Sequence, residues 1–162
     1  IITTIGIKIK KYVAIKTFVS LLTAGACYVV LILNNIDYAS FWAFIIFLLN
    51  YIPTVGSMLA VLFPALLSLV QFPTFTPFLI IISALGVIQI LVGNILEPRL
   101  MSNSLNLSPL VVMLSLAIWG SIWGIAGMFL SVPFTVILMI VFSEFSKTKP
   151  IAIILSQNGK IS

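Results

Sequence analysis

The sequence contains no histidine and a single cysteine, Cys27. Without histidine there can be no Ser-His-Asp triad and no histidine-ligated zinc. One cysteine forms neither an intrachain disulfide nor a cysteine-cluster metal site. We therefore expect no enzyme activity, no metal site and no bound cofactor.

Charged residues are also scarce in the sequence. Charged residues make up 7% of the chain, against about 25% in an average soluble domain. Hydrophobic residues make up 62%, and the mean hydropathy is +1.31. Residues 38–96 and 100–143 contain no Asp, Glu, Lys or Arg. A helix needs about 20 apolar residues to cross a bilayer, so we predict an all-α polytopic membrane protein.

The few basic residues lie mostly at the two ends of the chain. Lysines that flank apolar segments indicate cytoplasmic ends rather than a nucleic-acid surface. We therefore expect an inner-membrane protein with both ends cytoplasmic. These flanking lysines are Lys8, Lys10, Lys11, Lys16, Lys147, Lys149 and Lys160.

Four apolar blocks follow one another along residues 17–143. Block 78–96 has the length of a single span, and block 17–33 is barely long enough for one unless the stems of Lys11 and Lys16 extend it. Blocks 38–70 and 109–143 are longer, and Gly and Pro interrupt both of them. Half of such a block is too short for a full crossing.

Two spans plus two Gly/Pro-broken helical hairpins are the predicted architecture, and six short transmembrane helices are the alternative. In both cases we expect a single transmembrane domain over 1–162. It has a basic cytoplasmic lead-in at 1–16, an embedded part at 17–143 and a cytoplasmic tail at 144–162. Since the chain begins with Ile1 rather than Met, we expect a fragment or a processed piece.

The interruption in the second block carries several polar side chains. Proline and glycine break a helix there, and freed backbone groups in a membrane must meet protein or water. Such a break can coordinate a polar solute; a simple kink is the alternative interpretation. The residues concerned are Asn50, Pro53, Thr54, Gly56 and Ser57.

The end of the third block contains Asn94, and the polar loop predicted at 97–108 opens with Glu97, Pro98 and Arg99. Glu97 and Arg99 are placed to pair with each other or to cap helix ends. An acidic residue at a membrane boundary can also serve an ion-coupled cycle, with a loop anchor as the alternative.

The fourth block is interrupted by Gly120, Gly124, Gly127 and Pro133. The Gly120-xxx-Gly124 spacing favours close helix packing in lipid. A span followed by a broken segment, repeated once, is also the outline of an inverted repeat, which points to a transporter site.

These segments resemble the autoinducer-2 exporter family of bacterial membrane proteins. The similarity lies in residues 47–57 with Pro64, in 94–101 with 107–110, and in 119–133. It covers nearly the whole chain in the same order. The positions that match the family's motifs are Pro53, Gly56, Asn94, Glu97, Pro98, Gly124, Gly127 and Pro133.

The resemblance implies a multi-pass permease that exports a small polar signal in some members and antiports cations in others. It also implies that the chain is the C-terminal half of a longer protein. Our leading hypothesis is a secondary transporter segment that works by alternating access. The rivals are a cation/proton antiporter and a non-transporting scaffold held by glycine-rich helix faces. Expected partners are the lipid bilayer, a small polar solute or cation and the N-terminal half, with room for a homo-oligomer.

Overall fold

A computed structural model describes residues 2–101, 107–145, 147–156 and 159, and these are almost entirely helical. The Lys160 assigned to the tail lies outside the described residues. The elements are α1 (Ile2–Leu33), α2 (Ala39–Leu49), α3 (Val55–Gln71), α4 (Thr76–Gln89), a π-helical segment (Ile90–Leu96), α5 (Glu97–Met101), α6 (Pro109–Glu144) and α7 (Lys149–Leu155).

By length and composition, three helical stretches of the described residues could cross a membrane: Ile5–Leu33, Thr76–Met101 and Pro109–Glu144. The third of these is broken inside, at Gly124. The all-α, polytopic prediction is thereby confirmed. The first helix begins well before residue 17, so the basic lead-in continues the span as one helix. Ser108 and Pro109 start α6 as their types predict, although no side-chain bond caps that helix.

The chain divides into two compact units. The first unit is Ile15–Arg99, and the second consists of Ile1–Ala14 with Leu100–Ser162. In the first unit, α3 packs on α2 and α4, and the buried side chains of Cys27, Leu31 and Ile46 belong to its core. In the second unit, Val136 and Ala152 lie in a core that joins α6 to α7.

The second block is a helical hairpin, as the sequence predicts. Its limbs α2 and α3 have 11 and 17 residues, or roughly 16 and 26 Å at 1.5 Å per residue. The rings of Trp42 on α2 and Phe63 on α3 lie 6.4 Å apart, so the limbs run side by side. Pro64 lies inside α3 and does not end it.

The fourth block also folds back, at Gly124, whose φ of 62° and ψ of −139° suit only glycine. The ring of Phe134 lies 4.9 Å from Trp119 and 5.2 Å from Trp123, which a straight helix cannot bring about. Because the helix breaks at Gly124, Gly120 and Gly124 do not share one continuous helical face. Pro133 lies within the second limb rather than at the break.

Both hairpins close through a glycine that touches a carbonyl of the preceding limb. A Cβ built on Gly56 would lie 1.7 Å from the carbonyl oxygen of Leu49, and one on Gly127 would lie 1.9 Å from that of Trp119. The two broken blocks therefore use the same closure, which agrees with the predicted outline of a repeat.

We predict that Gly56→Ala lowers the free energy of unfolding by at least about 1–3 kcal/mol, because the added methyl group overlaps the Leu49 carbonyl. Gly86→Ala is the matched control, since nothing lies within 4 Å of its Cβ position. It should leave the protein unchanged or slightly more stable. Thermal unfolding in detergent, followed by circular dichroism, measures both. Equal stability of the two variants would contradict this hairpin closure.

Candidate functional site

The break between α2 and α3 is a strained turn. Thr54 has φ 60° and ψ −61°, and the Val55 amide donates to the Pro53 carbonyl at 2.6 Å. Together these describe a γ-turn with positive φ, which is rare and strained, above all for a β-branched residue. The Thr54 carbonyl accepts from the Ser57 hydroxyl at 2.8 Å and from the Met58 backbone amide at 3.1 Å, so the turn is tied to the first turn of α3.

A polar row on α1 docks against this break. The hydroxyls of Thr17 and Tyr51 lie 2.6 Å apart, and the Asn50 side-chain amide donates to the Ser20 hydroxyl at 3.3 Å. Asn50 and Ser20 are both buried. The break is therefore held by side chains of the long helix as well as by its own backbone.

The same row begins with a buried ion pair. The Lys16 ammonium lies 2.5 Å from a Glu97 carboxylate oxygen, and the two side chains are only 5% and 17% exposed. The sequence grouped Lys16 with the solvated flanking lysines and placed Glu97 to pair with Arg99 or to cap a helix. The structure corrects this placement: Glu97 pairs with a residue on α1, 81 positions earlier in the chain.

Lys16, Asn50 and Glu97 line a cavity of about 670 Å³ in the first unit, a size typical of small-molecule sites. Six of the predicted site residues line it: Asn50, Pro53, Thr54, Ser57, Asn94 and Glu97. Gly56 is buried behind them at the closure, and Pro98 and Arg99 follow in α5 outside the lining. Gly120, Gly124, Gly127 and Pro133 belong to the second unit, where they form its hairpin.

Two polar lining residues, Lys16 and Gln89, were not among the predicted site residues. Gln89 ends α4, immediately before the π-helical segment that leads to Asn94 and Glu97. A polar side chain inside a predicted span is itself a sign of a functional site, and this sign would have selected Gln89. No comparable sign distinguishes Lys16 from the lysines before it.

Residues 1–147 match the family described as AI-2E family transporter. The chain belongs to the AI-2E transporter family. It is 38% identical over 152 residues to the AI-2 transport protein TqsA of Escherichia coli, covering 94% of this chain and 44% of that protein. The family resemblance seen in the motifs is thus confirmed.

Two further relatives are named as transport proteins. The chain is 39% identical over 160 residues to a candidate transport protein of Borreliella burgdorferi, covering 98% of this chain and 44% of the relative. It is 43% identical over 147 residues to another from Haemophilus influenzae, covering 89% of this chain and 41% of that protein. The chain therefore spans less than half the length of these curated relatives. The family is one of membrane transport proteins, and this agrees with the predicted class of function.

We predict that Lys16→Met and Glu97→Gln each destabilise the AI-2E protein by about 3–5 kcal/mol, because each leaves one buried charge without its partner. The double variant should recover most of the loss, since no unpaired charge then remains. Lys10→Met and Glu144→Gln remove exposed charges and serve as matched controls.

Unfolding midpoints of the four single variants and the double variant form the measurement. Additive losses in the double variant would contradict the pairing of Lys16 with Glu97.

Proposed function

We propose that the chain is part of a secondary transporter that moves a small polar solute by alternating access. The observation that carries this proposal is the cavity beside the broken segment, with the Lys16–Glu97 pair in its wall. Polar cavities at broken helices are where secondary transporters bind their cargo. Family membership supports transport rather than catalysis.

The proposed setting is the bacterial inner membrane, with both ends of the chain on the cytoplasmic side. Lysines before and after the apolar segments support this orientation. The chain's coverage of less than half of each relative supports a C-terminal half that works with an N-terminal half of the same permease. We also propose that copies of the whole permease form a homo-oligomer.

Both hairpins are proposed to be re-entrant. The limbs α2 and α3 have 11 and 17 residues, fewer than the roughly 20 that a full crossing requires. Solute binding at the first break then favours one of two hairpin positions, and the shift between them exposes the cavity to alternate sides.

Cysteine labelling in a Cys27→Ser background tests this topology. Val55→Cys reports the tip of the first hairpin, and the exposed Thr74→Cys reports the loop at its base. We expect a membrane-impermeant thiol reagent to reach Val55→Cys from the Thr74 side or from neither side. Labelling of Val55→Cys only from the opposite side would reject the re-entrant hairpin in favour of six crossings.

Autoinducer-2 is the first solute to try, because one relative is named as its transport protein. A cation/proton antiporter is the second candidate, favoured by an acidic side chain in the cavity wall. In that case the cation must displace the Lys16 ammonium from Glu97, since the two are paired in this structure.

We predict that Glu97→Gln and Pro53→Ala each reduce transport by the intact protein about tenfold or more, equivalent to about 1.4 kcal/mol. Glu97→Gln removes the negative charge that pairs with Lys16. Pro53→Ala removes the ring that fixes the φ angle of the first residue of the γ-turn. Glu144→Gln is the matched control because its carboxylate is exposed.

Proteoliposomes loaded with labelled autoinducer-2 provide one assay, and sodium-driven proton movement, followed with a pH-sensitive dye, provides the other. Loss in the first assay supports solute transport, and loss in the second alone supports antiport. Unchanged rates for both variants in both assays would overturn the proposal.

A further inference from the structure

Gln89 is a buried side chain whose hydrogen-bonding capacity is unused. It is 8% exposed, and neither its amide nitrogen nor its amide oxygen has a hydrogen-bond partner among the described residues. Burying an amide without a partner costs about 1–3 kcal/mol in proteins. Gln89 is one of the residues that line the cavity, and a bound molecule that reaches its carboxamide would remove this cost.

Gln71 shows what a satisfied glutamine looks like in the same unit. Its amide nitrogen donates to the Asn35 carbonyl at 2.6 Å, and its amide oxygen accepts from the Asp37 backbone amide at 2.9 Å. The Gln71 carboxamide thus binds one backbone acceptor and one backbone donor at the same time. Gln89 has the same chemistry and no such partner among the described residues.

The other polar groups in the lining are largely occupied by protein. Asn50 bonds to Ser20, and Ser57 bonds to the Thr54 carbonyl. Lys16 and Glu97, the charged residues of the lining, neutralise each other. The two charges of the lining therefore cancel. Two carboxamides remain in the lining, an exposed one on Asn94 and a buried one on Gln89, and the buried one lacks a partner among the described residues.

We propose that Gln89 binds the transported solute through both atoms of its carboxamide. The solute is small and uncharged where it is bound, and it presents a hydrogen-bond donor and an acceptor side by side, as adjacent hydroxyls or a primary amide do. This assignment rests on the proposed transport function and names the residue that selects the cargo.

The test measures protection of a reporter thiol in the intact protein. Met58→Cys in a Cys27→Ser background places the thiol in the cavity lining, and methyl methanethiosulfonate labels it. Glycerol and acetamide are the uncharged probes, and acetate and ethylammonium are charged probes of similar size. We expect glycerol or acetamide to slow the labelling and the charged probes not to do so.

Gln89→Leu should raise the probe concentration for half-protection about tenfold, the value of two neutral hydrogen bonds. Its unfolding midpoint should stay unchanged or rise, because the variant removes an unsatisfied amide. Gln71→Leu is the matched control: it should lower the midpoint, since it breaks two bonds, and leave protection unchanged.

Unchanged protection in Gln89→Leu, equal protection by charged probes, or a lowered midpoint in Gln89→Leu would each overturn the assignment. Autoinducer-2 flux in the same preparations separates this failure from that of the proposed function. If the parent transports and Gln89→Leu transports equally well, the assignment fails and the transporter stands. If the parent moves neither autoinducer-2 nor sodium, the transporter fails, and probe protection still decides whether Gln89 binds a ligand.

Discussion

The Lys16–Glu97 ion pair is the interaction on which the rest of the first unit depends. Both residues lie in helical stretches apolar enough to cross a membrane, where a single charge is expensive. Each residue makes the burial of the other tolerable, and together they join α1 to the start of α5. The pair also fixes the register of α1, so that Thr17 and Ser20 face Tyr51 and Asn50 at the break.

Local backbone bonds and this docking together let a broken helix persist in a hydrophobic setting. A γ-turn at Thr54 leaves backbone groups outside the helical pattern, and lipid offers them no partners. Backbone bonds within the break supply these partners: the amides of Ile52, Val55 and Gly56 donate to the carbonyls of Leu49, Pro53 and Ile52. Side-chain bonds from Thr17 and Ser20 then hold the break against α1. The cavity lies beside this break and is lined in part by its residues. The strained turn at Thr54, the polar bonds to α1 and the cavity therefore occur at the same place in the fold.

Much of the fold could be predicted from the composition and from the positions of glycine and proline. The paucity of charge, the lengths of the apolar blocks and the Gly and Pro positions predicted the long helices and both hairpins, because these are local properties of the chain. The loop predicted from residue 97 was wrong at its start, where the chain stays helical through α5. The partner of Glu97 could not be predicted, since Lys16 is far away in sequence and looks like its neighbours at 8, 10 and 11. Pro133 was predicted to interrupt the fourth block, but the helix continues through it. A helix within a membrane protein tolerates proline when neighbouring groups satisfy the backbone, and the break lies at Gly124 instead.

Chemical cross-linking in native membranes tests the docking of α1 on the break most directly. Ser20→Cys and Asn50→Cys, in a protein without other cysteines, are treated with a short bifunctional thiol reagent, and a protease site in the 34–37 turn reveals the link on a gel. The account predicts that the two fragments stay joined after cleavage. A pair of Leu21→Cys with Asn50→Cys should separate, because Leu21 is 58% exposed and lies on another face of α1. Separation of the Ser20 pair, or equal linking of both pairs, would contradict the account.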